Sequence, residues 1–202
     1  MIQLLHSRRN KLIAAFLAIL LLIAAILGIR ALTQDEPDTD QNSEQIISAI
    51  SLDYPAGWTP QEASIAEQKA GVMWKLQRTD PQANVVLRGV VSDLEDDFDI
   101  NDLPSELEKT FKGEIKGFDL LDKSVADAGQ YKIAQIKYDE KTEKQKQVYT
   151  SLMIVLPLEH QTFYLAYRTP QKDFSKIEKD FNTITNNLAD YVKENTDQGQ
   201  NL

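Results

Sequence analysis

The chain contains no cysteine. That absence excludes disulfides, thiol nucleophiles, cysteine-ligated zinc and the acylated cysteine that anchors a bacterial lipoprotein, so the fold must stand on its apolar core. Histidine is scarce: of the two present, only His160 lies beyond the N-terminal region, alone in "LEHQ" between two strand-like stretches. One such residue supplies neither a metal cluster nor a Ser-His-Asp constellation. No phosphate loop occurs, because "GEIKG" at 113–117 lacks the Gly-Lys-Ser/Thr ending, and no segment repeats another. Glycosidase chemistry would need two carboxylates facing each other across a cleft, an arrangement that spacing alone does not supply. The expectation is a protein without enzymatic activity.

Acids are missing from residues 1–32, where Arg8, Arg9, Lys11 and Arg30 are the only charges. Of the 22 bases and 31 acids in the chain, 18 bases and all 31 acids fall after residue 32, a net charge of −13. Such a balance repels phosphate backbones, whose non-specific partners rely on Lys and Arg, so nucleic acid is not expected as a partner.

What is present begins with "LIAAFLAILLLIAAILGI", residues 12–29, which carries no charge. As a helix rising about 1.5 Å per residue it measures about 27 Å, close to the roughly 30 Å hydrocarbon core of a bilayer. A cleavable signal peptide is the rival reading, but its apolar region usually spans about 7 to 15 residues and ends in a small-x-small site. Here Ala31 and Thr33 make a poor one. The expectation is an uncleaved signal anchor, single-pass in the cell membrane. Bases cluster on its N-terminal flank, so residues 1–11 are expected in the cytoplasm and the C-terminal domain outside it. Ala14, Ala18, Ala25 and Gly28 form a stripe of small side chains that would admit a second helix; the plainer reading is that alanine is common in such spans. Residues 30–44, including "TQDEPDTDQNSE", read as an acidic tether, 45–192 as the folded domain and 193–202, "KENTDQGQNL", as a fraying tail.

Within 45–192 the apolar spacing alternates between period two and period 3.6. Ile50, Leu52 and Tyr54 alternate with polar residues, as in a strand. "YPAG" then reads as a type I turn with Pro55 second and Gly57 fourth, before Trp58. "GVMWKLQR" at 71–78 and "NVVLRGVV" at 84–91 read as strands joined at Asp80 and Pro81. Leu103, Leu107, Phe111, Ile115 and Phe118 mark a helix from about Pro104 to Lys116, ended by Gly117. After "FDLLDKSVAD", three further strands follow in "GQYKIAQIKYD", "QVYTSLMIVLP" and "TFYLAYR". Phe174, Ile177, Phe181, Ile184, Leu188 and Tyr191 make a clean stripe on a final helix. The fold class is α+β: a central antiparallel sheet with helices packed on it. Phe163 and Tyr164 are adjacent on one strand and point to opposite faces, so both faces of that strand need cover, or one of them binds something.

The words "YPAGW" at 54–58, "IKGFDLLDKSVADAGQYKIAQIKYD" at 115–139, "VYTSLMIV" followed by "TFYLAYRTP", and "DFSKIEKDFNTITNNL" at 173–188 resemble the PsbP-like superfamily. That superfamily takes in the extrinsic photosystem II protein, the Ran-binding Mog protein and bacterial DcrB-type proteins. The resemblance covers about residues 48–190. It implies an α/β/α sandwich, with no shared catalytic site and a role in binding or assembling other proteins. It also implies that "YPAGW" closes the first hairpin and plugs one end of the core. Bacterial DcrB-type members are often lipoproteins, whereas here a protein anchor is expected in place of the lipid; with no photosynthetic targeting signal visible, a photosystem role is not expected.

One local pattern points to a ligand. In "SDLEDDFDINDLPSELEK", residues 92–109, Asp97, Asp99, Asn101 and Glu108 stand at positions 1, 3, 5 and 12 of a calcium loop. Position 6, normally glycine, is Asp102, and a strand precedes the loop. The competing reading is an acidic lead-in to a helix, with Asn101 or Asp102 near its cap. The expected function is a membrane-anchored extracytoplasmic binding or accessory protein acting on a neighbouring membrane or envelope protein, with no cofactor. A carrier or chaperone for an apolar segment or lipid, held between sheet and helix, is the alternative, followed by a calcium-responsive module.

Overall fold

The computed structural model describes residues 50, 52–91, 98–142 and 147–197. The apolar run at 12–29, the helix-packing stripe of Ala14, Ala18, Ala25 and Gly28, and the tether lie outside them. Among the described residues no helix is long and apolar enough to cross a membrane.

The alternating segments form strands β1 (Thr59–Pro60), β2 (Val72–Arg78), β3 (Ala83–Val91), β4 (Asp119–Ala128), β5 (Tyr131–Thr142), β6 (Gln147–Pro157) and β7 (Gln161–Pro170). They build one antiparallel sheet in the order β1-β2-β3-β7-β6-β5-β4. The helices are α1 (Ile65–Lys69), α2 (Leu103–Glu114) and α3 (Phe174–Asp197), the last preceded by a 3-10 turn at Gln171–Asp173.

Because successive strand residues point to opposite faces, β5 shows how the helices divide. Lys137 reaches α3, lying 3.8 Å over the Phe174 ring and 3.5 Å from Glu178. Tyr138, its neighbour, stacks on Phe111 of α2 at 5.3 Å between centroids. The two helices therefore cover opposite faces of the sheet, as the sandwich expectation requires.

On the α3 face, Phe174, Ile177, Phe181, Ile184 and Leu188 meet Leu76, Val85, Leu87, Ile154, Leu156, Phe163 and Leu165 in one buried cluster. Each such side chain contributes about 1.5–3 kcal/mol by leaving water. The phenol of Tyr167, fully enclosed there, donates to the carbonyl of Phe181 at 3.0 Å and lies 2.7 Å from Thr185 Oγ1.

Four details differ from the sequence reading. Ile50 and Leu52 are buried in the core as expected, but residues 52–55 pair with no strand among the described residues, so "YPAGW" does not close a hairpin. The turn itself centres on Ala56 and Gly57, with Gly57 at φ +90°; a positive φ suits the third position of a type II turn and places glycine one residue earlier than a type I turn would. Trp58 does plug the core, 6% exposed, with its indole N–H donating to Asp180 at 2.9 Å. The short helix α1 was not foreseen: Ser64 caps it and Glu67 returns the bond to Ser64 N at 2.8 Å, a reciprocal capping box. The final helix runs through Asp197, five residues into the stretch expected as tail.

Candidate functional site

Three of the four residues of the calcium pattern are among those described. Asp97 lies outside the described residues. Asp99 accepts from the backbone N–H and the side-chain amide of Asn101, at 2.9 and 2.8 Å, in a local turn before α2. Glu108 sits two turns into α2 and is engaged by Lys123 of β4 at 2.7 Å. Asp102 takes the N-cap position of α2, without a side-chain capping bond. Among the described residues no three His, Cys, Asp or Glu side chains gather where a metal could be held. His160 is exposed at the β6–β7 connection, 3.7 Å from Glu159.

The unusual chemistry lies on the other side of the sheet from α3. This face is flanked by α1 at β2 and by α2 at β4 and β5. Its central strip comes from alternate residues of β6, β7 and β3, aligned in rows by the strand register. One row runs Ala134, Val155, Tyr164, Arg88; the next Ile136, Met153, Ala166, Val86; the third Tyr138, Ser151, Arg168, Asn84.

The third row is polar and self-satisfied. Arg168 Nε donates to Glu140, whose carboxylate is almost fully enclosed, while the guanidinium lies 3.6 Å over the Tyr149 ring. Burial, with a further push from Glu140, holds the Tyr138 phenol far above its ordinary range; a hydrogen bond with Ser151 and the charge of Arg168 work against that push. At physiological pH this phenol is a neutral O–H. Around the corner, Asp139 accepts from Thr150 at 2.6 Å and Gln171 at 2.5 Å.

Most bases at the sheet have a carboxylate within reach: Lys75 has Glu67 at 2.8 Å, Arg78 has Asp180 at 2.5 Å, Lys137 has Glu178 and Arg168 has Glu140. Arg88 does not. It is 6% exposed, and its Nε and Nη1 are buried with no acceptor among the described residues. Burial pushes its guanidinium pKa down, against a smaller opposing influence from Tyr164. The guanidinium lies against Gly71, where a Cβ would stand 3.3 Å from Nε and 2.5 Å from the carbonyl oxygen of Gly89, so the approach requires glycine at that position. Chemically, this is a buried positive charge with no counter-charge among the described residues, the arrangement that favours an incoming anion.

No protein-family model matches the chain, and no curated protein matches it in sequence. Solved structures with a similar arrangement include a cyanobacterial PsbP (CyanoP) from Synechocystis sp. PCC 6803, at 14% identity over 66% of this chain and 82% of that one, TM-score 0.47. LpqN of Mycobacterium tuberculosis, a protein involved in cell envelope biogenesis, matches at 14% identity over 67% of this chain and 79% of its own, TM-score 0.46. A Bacteroides thetaiotaomicron protein matches at 14% identity and TM-score 0.46, with this chain spanning 42% of its length. Likenesses of this strength carry no inference about activity or partners.

Proposed function

We propose that the protein is a non-enzymatic, membrane-anchored accessory protein, its folded domain working outside the cytoplasm on a neighbouring membrane or envelope protein. The apolar run of 12–29 with bases on its N-terminal flank supports the anchor and its orientation. The observation that carries the binding role is the asymmetry of the sheet edges. One edge, β1, is two residues long; the other, β4, runs ten residues and presents Leu121 at 47% exposure. A long edge strand is a surface to which an extended partner segment can add as a further strand, here with a β-bulge between Leu120 and Asp122 that turns Leu121 out of regular pairing with β5. A photo-crosslinker at Leu121 of the full chain, in its native membrane, tests this. The reading expects one discrete protein adduct that persists when the anchor is exchanged for an unrelated one and is missing when the crosslinker is moved to Ile65 on α1. Equal labelling from both positions, or loss on anchor exchange, would sink it.

A second reading, a carrier or chaperone for an apolar segment or lipid held between sheet and helix, is favoured by one observation: Arg88 is buried without an acceptor among the described residues and would hold the acidic head group of a lipid. No cofactor is proposed.

A further inference from the structure

On the second face the buried Arg88 has no carboxylate partner among the described residues. A guanidinium stays protonated at any physiological pH, and a buried ion without a partner costs several kcal/mol. Directly opposite Arg88 on β7 is Tyr164, half-buried, with Val155 beyond it on β6 at 1% exposure. Burial pushes the Tyr164 phenol up, the charge of Arg88 opposing, so Tyr164 keeps an O–H that can donate. Along the strip on the same face stand Val86 and Met153, buried, and Ala166, half-buried. The site therefore offers guanidinium N–H donors, a phenol and an apolar wall.

We propose that Arg88 and Tyr164 bind a singly charged carboxylate carried on an apolar body, as in a short- or medium-chain fatty acid. One unbalanced positive charge is neutralised by one negative charge. A phosphate dianion would leave a surplus in a domain already rich in acid, and the planar carboxylate suits the guanidinium fork. The hydrocarbon would lie against Tyr164 and Ala166, the half-buried members of this strip, rather than against the enclosed Val86, Met153 and Val155. This site deepens the carrier reading, on which it rests, and stands whether or not the β4 edge binds a protein.

The test uses the full chain in lipid nanodiscs with 15N-labelled arginine, the Arg88 Nε–H resonance being assigned through Arg88→Lys. Hexanoate is expected to move that resonance saturably and to raise the unfolding temperature by a few degrees, about 4 °C for each 1 kcal/mol of binding. Hexanol and inorganic phosphate should act at least about tenfold more weakly, which is about 1.4 kcal/mol. Arg88→Met should abolish the response while leaving the unfolding temperature equal or higher, since it removes an unmatched buried charge. Tyr164→Phe should weaken hexanoate roughly three- to tenfold, the loss of one hydrogen bond, without lowering the unfolding temperature. The proposal is overturned if the resonance ignores hexanoate, if phosphate or hexanol matches hexanoate, or if Tyr164→Phe titrates like the parent. It is equally overturned if Arg88→Met melts many degrees lower or fails to fold, because the charge is then matched within the chain.

Discussion

On one side of the sheet a single 24-residue helix lays five large apolar side chains on the strands; on the other, helices of 5 and 12 residues flank a strip that encloses Arg88, Glu140 and Ser151 beside Val86, Met153 and Val155. Strand β7 serves both. Its residues Phe163, Leu165 and Tyr167 face α3, while Tyr164, Ala166 and Arg168 face the strip. The α3 side is closed by apolar area, and the few polar atoms within it are bonded locally. The strip encloses charge, and enclosed charge contributes less to stability than apolar packing of similar volume, while narrowing what can sit beside it. Stability of this domain should therefore reside mainly on the α3 face, and recognition on the other.

That division is broken most severely at Phe181. Its ring is fully buried and meets Trp58, Tyr167 and Phe174 at centroid distances of 6.0, 4.4 and 5.8 Å. Phe181→Ala should cost about 3–5 kcal/mol, read from urea unfolding of the full chain through the fluorescence of Trp58 and Trp74, and should leave any ligand response of the strip intact in the molecules that remain folded. A loss below about 1 kcal/mol would mean that the α3 face is not where the stability lies.

Next in size is the ion pair of the strip. Glu140→Gln leaves the enclosed Arg168 without its counter-charge and should cost about 3 kcal/mol. Pairing it with Arg168→Met should restore most of that loss, the two substitutions being non-additive because they share one contact. Simple additivity in the same unfolding measurement would contradict a coupled pair. On the α3 side the comparable polar substitution is milder. Tyr167→Phe removes one O–H from between the Phe181 carbonyl and Thr185 Oγ1, and Thr185 still donates to that carbonyl at 2.9 Å, so the expected loss is about 1 kcal/mol.

The sequence made much of this fold legible, for a physical reason: β5 alternates, β3 and β6 are near-continuous apolar runs, and α3 carries a stripe at helical spacing. The near-continuous apolar run of "NVVLRGVV" also marks a strand covered on both faces, so Arg88 within it was a visible signal of a buried charge. Its lack of a partner was not, because pairing depends on residues that only the sheet register brings alongside. Helix α1 was missed at five residues, too short for periodicity, although Ser64-x-x-Glu67 spells its capping box. The calcium pattern shows the opposite limit. Its spacing is correct along the chain, but α2 turns Glu108 toward Lys123, and a linear pattern contains no information about that competitor.

The smallest effect sharpens the comparison by pH. Glu67 lies on the strip side and joins α1 to β2: burial alone would raise its carboxyl pKa, but bonds from Lys75 and Ser64 outweigh this and hold it below the ordinary value of 4.5. A carboxyl lowered on folding adds stability that is fully present above its unfolded pKa and is lost as pH falls through the folded one. Glu67→Gln should therefore cost about 1–2 kcal/mol at pH 7, the sum of a capping bond and a charge-assisted pair. The gap between parent and variant should stay flat from about pH 8 to pH 6 and close progressively below about pH 4.5. Urea unfolding of both chains across that range separates the possibilities. A gap that persists unchanged at about pH 3 would show that the amide fails by shape rather than by charge, and that the contact between α1 and β2 owes nothing to ionisation.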